Sequence, residues 1–224
     1  MDENLTDLFA QNRAWAAEME RTRPGFFTTL SAQQQPRYMW IGCSDSRVPA
    51  NEITGLIPGN VFVHRNIANI VVHSDLNALS TIQFAVERLK VEHVMVVGHY
   101  GCAGVLAALE GARIGLADNW LRHLRDVRDR HSHLLEQLPE HGRANALSEL
   151  NVIEQVVNVA QSTVLQDAWS AGQKVTLHGW VFGVHDGLLQ DLHMTVTGNH
   201  HLQDLYTQAI SGVRLMPRKQ LSNL

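Results

Sequence analysis

With 224 residues, 45% of them hydrophobic, the chain is long enough for one large domain with a real core. Its formal net charge of -4 and 18% of charged residues argue against nucleic acid or an anionic membrane as a partner. The start, "MDENLTDLFAQNRAW", is acidic and amphipathic, unlike a signal peptide, and no apolar run nears the ~20 residues of a membrane span. A cytoplasmic protein is therefore expected, in which the two cysteines are free or metal-bound.

In chain order, residues 5–20 and 25–34 read as two helices. Short, β-branched apolar runs at 37–43 ("RYMWIGC"), 61–65 ("VFVHR") and 93–98 ("HVMVVG") read as buried strands. Between the last two, Leu76, Leu79, Ile82, Val86 and Leu89 recur at helical steps behind a cap at Ser74 or Asp75. A helix starts near Cys102 and stops at Gly111. Residues 118–138 form a charged amphipathic helix with Leu121, Leu124, Val127 and Leu134 inward. A long helix is expected over 145–171, with Leu147, Leu150, Ile153, Val157 and Val164 inward. Strands follow near 175–182 and 190–197, then a short helix near 201–211. Strands alternating with helices predict an α/β fold with a mainly parallel sheet and sites at the carboxyl ends of its strands.

Those ends carry the chemistry. "CSDSR" places Cys43, Asp45 and Arg47 at alternate positions after one strand, and "GHYGC" places His99 and Cys102 after another. Thiolate and imidazole are zinc's preferred ligands, and a carboxylate can complete a tetrahedron. Two thiolates neutralise Zn²⁺, so adding Asp45 calls for a nearby cation, which Arg47 can be. Each residue alone has an ordinary reading: a buried thiol, a packed histidine, a turn cap, a surface arginine. Two paired motifs at two strand ends favour a metal site. The glycines of "GHYGCAG" match neither a dinucleotide fingerprint nor a P-loop. Histidines 123, 131, 133 and 141 and the run "RHLRDVRDR" read as a solvated or subunit-facing surface.

"CSDSRVP", "GNVFVHRNIAN" and "GHYGC", in this order, resemble the β-class carbonic anhydrases. The resemblance runs from the N-terminal helices through "LHGWVFGVHDGLL" and is nearest to the bacterial, bicarbonate-regulated subgroup. It implies a single α/β domain over 1–224: a four-stranded parallel core sheet with an added edge strand, and a helical arm, 1–35, that clasps a neighbouring subunit. It implies a dimer or tetramer with active sites at the dimer interface. It implies Zn²⁺ on Cys43, His99 and Cys102, with Asp45 either as fourth ligand or paired with Arg47 in the active form. The implied reaction is reversible hydration of CO₂ to bicarbonate and a proton by zinc-bound hydroxide, oriented by Asp45. Gln34 matches an amide donor to substrate oxygen, and Phe62 and Phe84 match an apolar wall. For these two phenylalanines plain core packing is an equal alternative. Ala103 stands where relatives commonly have glycine, placing a methyl near the pocket.

Trp40 and Arg65 match two residues of the subgroup's regulatory bicarbonate site. The third position, a tyrosine in relatives, is Phe182 here, which removes one hydrogen bond. Alternatives stay open: a non-catalytic zinc or bicarbonate-binding protein, a hydrolase of another small heterocumulene such as CS₂ or COS, and, more weakly, a thiol-nucleophile enzyme using Cys43 and His99.

Overall fold

The apolar runs expected as strands form β1 (Tyr38–Cys43), β2 (Val61–Asn66), β3 (His93–His99), β4 (Thr176–Gly183) and β5 (Leu188–Val196) in the computed structural model, which describes residues 5–32 and 34–215. They join in one sheet, ordered β2-β1-β3-β4-β5. The first four run parallel, and β5 is added antiparallel at one edge. The chain leaves β1 for β2 on one side and returns to β3 on the other. The crevice between the carboxyl ends of β1 and β3 is thus where strand order reverses.

Two compact units make up the chain, Met1–Gln35 and Pro36–Leu224. The first carries α1 (Leu5–Thr22) and α2 (Phe26–Ala32), with Trp15 edge-on to Phe27 at 5.7 Å. Within it α1 buries no side chain and leaves Leu5, Leu8 and Phe9 exposed.

The second unit surrounds the sheet with α3 (Ala50–Thr54), α4 (Leu76–Gln83), α5 (Ala103–Glu110), α6 (Ala117–Arg130), α7 (Ser132–Glu136), α8 (Glu140–Ala160), α9 (Thr163–Ser170) and α10 (Leu202–Leu215). No helix among the described residues is long and apolar enough to cross a membrane. Alternation along β1 sends Met39 and Ile41 into the main core with Leu147, Leu150 and Ile153 of α8. Trp40 points the other way, into a smaller cluster with Val48, Met95, Val97 and Phe182.

Several helical expectations change. The 118–138 segment breaks at His131 into α6 and α7. The long helix starts earlier, at Glu140, and ends at Ala160; Ser162 then caps α9 by accepting from the Leu165 N–H. Apolar periodicity runs through that break, and Val157, expected inward, is half-buried. Asp75, one of the two expected caps, does cap α4. Leu76, in the first turn, is 78% exposed, because the helix packs through Ala78 and Ile82, and the turn that follows it through Ala85 and Val86. His131 and Arg125 are buried rather than solvated. Glu154 of α8 accepts from His131 Nε2 at 2.7 Å and from the Tyr206 hydroxyl at 2.7 Å, and the Ala112 carbonyl accepts from Arg125 at 2.8 Å.

Close approach of α8 to β3 sets the sheet's carboxyl end. A Cβ on Gly98 would lie 2.6 Å from Val152 Cγ2. Gly98→Ala should therefore destabilise by about 1–3 kcal/mol, the usual cost of overpacking. The Gly98→Ala/Val152→Ala double variant should recover part of that loss in a urea titration. A double variant no more stable than Gly98→Ala would mean that this contact does not set the spacing.

Candidate metal centre and active site

Cys43 is the last residue of β1 and His99 the last of β3. Because β1 and β3 are parallel neighbours, with Gly42 paired to Val97, these ends meet. Cys102 sits one tight turn beyond His99, at the N-cap of α5, after Gly101 takes φ +68°. One ligand atom from each of Cys43, His99 and Cys102 lies within 4.8 Å of the others, and all three residues are buried.

The donor set is ready for a cation. His99 Nδ1 is 3.1 Å from the Tyr100 carbonyl, which places the ring proton there and leaves the lone pair on Nε2. Nε2 is buried without a hydrogen-bond partner among the described residues. The two sulfurs lie 3.9 Å apart. Hydrogen bonding from the Cys102 thiol, acting against burial, pulls the Cys43 thiol below its ordinary range. Cys102 is pushed up by the same contact, by burial and by the charge on Cys43. A divalent cation lets both ionise. Two sulfurs and one imidazole suit zinc and not a hard, oxygen-seeking ion, so the residues present fit the implied metal.

Asp45 stands beside this trio and turns toward Arg47. Its Oδ1 accepts from Arg47 N at 3.0 Å and Nε at 2.9 Å, and Oδ2 accepts from Arg47 Nη2 at 2.7 Å. The guanidinium holds the Asp45 carboxyl well below the usual carboxylate range. Oδ2 lies 3.8 Å from His99 Nε2. The same Nη2 donates to the Gly101 carbonyl at 3.1 Å, tying the Asp45 turn to the loop before Cys102.

Arg65, paired in register with Gly42, also braces this turn. Its Nε donates to the Cys43 carbonyl at 2.8 Å and its Nη2 to the Asp45 carbonyl. Trp40 is fully buried on the same face, and its Nε1 has no hydrogen-bond partner among the described residues. The indole fits because residue 42 is glycine: a Cβ there would lie 2.2 Å from Nε1. Phe182 pairs with His99 in register and packs in the Trp40 cluster.

Within the second unit Phe62 and Phe84 lie away from the trio. Phe62 and Phe84 stack on each other with centroids 5.9 Å apart. Phe62 pairs with Met39, about 13 Å of strand from Asn66, the partner of Cys43. Phe84 is 46% exposed. Gln34 is an exposed residue of the N-terminal unit. Ala103 is exposed as the first residue of α5, next to Cys102. Sequence reasoning missed Trp120, and Asn151, Gln155 and Asn158 of α8, whose side chains hydrogen-bond the backbone of residues 67–71. For the three amides a signal was there to read, in their recurrence at steps of four and three along one helix.

Comparison with known proteins agrees with this geometry. The family profile described as "Carbonic anhydrase" matches residues 38–189. A carbonic anhydrase of Emericella nidulans is 47% identical over 199 residues, covering 88% of this chain and 87% of that one. Among solved structures, a Coccomyxa β-carbonic anhydrase in complex with acetazolamide superposes with a TM-score of 0.84 at 36% identity, covering 88% of this chain and 89% of that one. One from Sordaria macrospora, described as tetrameric, gives 0.81 at 37% identity over 86% and 98%. With the Cys–His–Cys cluster at the sheet's switch point and a family match across most of its length, this chain belongs to the β-class carbonic anhydrases.

Proposed function

We propose that this chain catalyses the reversible hydration of CO₂ to bicarbonate and a proton, with zinc held by Cys43, His99 and Cys102. The observation that carries this reading is the buried S, N, S trio with a carboxylate clamped by arginine at its side. Zinc in that position supplies a Lewis acid that makes a nucleophile of water near neutral pH. Asp45 orients that water. A carboxylate offers about four acceptor positions, and Arg47 takes two on Oδ1 and one on Oδ2. The position left is on Oδ2, the oxygen that faces His99. As an acceptor only, it favours a reacting group that brings a hydrogen. Arg47 keeps Asp45 ionised and holds it beside the trio.

Gln34 is proposed as the amide that donates to substrate oxygen, the Phe62–Phe84 pair as an apolar wall for CO₂, and Ala103 as a methyl that narrows the pocket. The chain is proposed to act as a dimer or tetramer with the 1–35 arm on a neighbouring subunit. Exposed Leu5, Leu8, Phe9 and Phe84 and the tetrameric Sordaria relatives support this. Unbridged cysteines are in keeping with the cytoplasm.

A second reading, regulatory bicarbonate binding as in the bacterial subgroup, is favoured by one observation: the unpartnered, buried Trp40 N–H. Weighing against a strong site, Arg65 already donates to two backbone carbonyls and Phe182 has no hydroxyl.

Stopped-flow CO₂ hydration over about pH 6.5 to 9 tests the activity. Asp45→Ala and Arg47→Ala should each lower kcat by roughly 10²-fold or more while zinc stays bound; Cys102→Ser should lose the metal. Near-normal rates in either of the first two would overturn the assigned roles. A zinc-loaded wild type inert toward CO₂ would favour a binding protein or hydrolysis of CS₂ or COS. The pH response of Asp45 follows from the sign of its shift. With a folded pKa below the ordinary one, its pairing is complete above the ordinary carboxylate range and is lost only as pH falls through the lower folded value. The Asp45 carboxyl ¹³C resonance should thus stay constant from about pH 5 to 9, and a titration step inside that window would contradict the clamp. Bicarbonate inhibition should be weak and Phe182→Tyr should strengthen it several-fold, whereas identical inhibition curves would count against a site at Trp40.

A further inference from the structure

The Cys43 sulfur is touched by a loop whose backbone is unusual. Ala68 and Asn69, between β2 and α4, take φ of +63° and +47°. Left-handed backbone is disfavoured for residues with a Cβ, alanine among them, and persists where surrounding contacts hold it. Its consequence is a hydrogen bond: the Ala68 N–H donates to Cys43 Sγ at 3.4 Å.

What holds the loop is a set of side-chain amides and one indole. Trp120 of α6 donates Nε1–H to the Ile67 carbonyl at 2.9 Å. Asn151 of α8 donates to the Ala68 carbonyl at 2.8 Å and accepts from Gln155 at 3.0 Å. Gln155 accepts from the Val71 N–H at 2.8 Å, and Asn158 donates to the Val71 carbonyl at 2.8 Å. Asn151 and Gln155 are essentially fully buried. Buried amides are costly unless satisfied, and these are satisfied by one another and by this loop. An apolar strip in their place would leave Ala68 and Val71 carbonyls without partners. The array therefore selects one loop conformation, the one that aims an N–H at the sulfur.

We propose that Asn151 and Trp120 are positioning residues that direct the Ala68 N–H onto Cys43 and so set how strongly that thiolate donates to the metal. The proposal rests on Cys43 being a metal ligand. An N–H bond draws electron density from a thiolate and fixes its direction, and second-shell partners of this kind are worth roughly 10–100-fold in metal affinity.

The test loads wild type and variants with Co²⁺ and reads the sulfur-to-cobalt charge-transfer band, with Zn²⁺ affinity measured by chelator competition. Asn151→Leu removes the amide at similar size, and Trp120→Phe removes the indole donor while keeping an aromatic ring. Both should move the band to lower energy, and both should weaken Zn²⁺ binding, by roughly tenfold for Asn151→Leu. Leu147→Ala, a buried change elsewhere on α8, should lower Tm and leave the band in place. Should Asn151→Leu fail to fold, Trp120→Phe decides alone. An unmoved band in the folded variants would reduce the array to a structural brace and overturn the proposal. A wild type with no sulfur-to-cobalt band at all would instead overturn the reading of Cys43 as a ligand.

Discussion

Two buried thiols 3.9 Å apart cannot both ionise unless a cation shares their charge, and the local structure is organised around that constraint. The strain shows in the opposite directions in which Cys43 and Cys102 are driven. His99 contributes a lone pair without adding charge. Asp45 would add a third negative charge, and Arg47 takes it up through a two-point contact.

Position is supplied by rigid elements rather than by long loops. Two of the three donors end adjacent parallel strands, and the third caps a helix. The turn between Cys43 and Arg47 is held from two sides, by Arg65 on the carbonyls of Cys43 and Asp45 and by Arg47 on Gly101. Arg65, matched by resemblance to an anion site, here acts on the backbone that carries both Cys43 and Asp45. Beneath the sulfur, the amides of α8 perform the same service for the Ala68 loop.

The first four strands were legible because each is a short, mainly apolar run with β-branched or aromatic residues, bounded by polar or glycine-containing turns. The trio that could hold a metal was legible because soft donors are scarce here: two cysteines, each within three positions of another candidate ligand. Helix ends were less so. Hydrophobic periodicity continues across Gln161–Ser162, and only the cap at Ser162 marks the break. His131 read as solvated because its partner, Glu154, lies on another helix, and the charge that makes its burial tolerable is invisible in its own segment.

The sequence by itself determined the chemistry this chain can perform: which donors exist, that they suit zinc, that an acid and a guanidinium sit two residues apart, and that the elements alternate into a parallel sheet. Only the tertiary structure decided which groups meet. Strand order and register bring Cys43 to His99, set Arg65 against the turn of Asp45, and lay Asn151 beneath Ala68. The physical reason is that residue type fixes charge, softness and hydrogen-bonding capacity locally. Distance between residues far apart in the chain is fixed only when the sheet pairs and the helices pack against it.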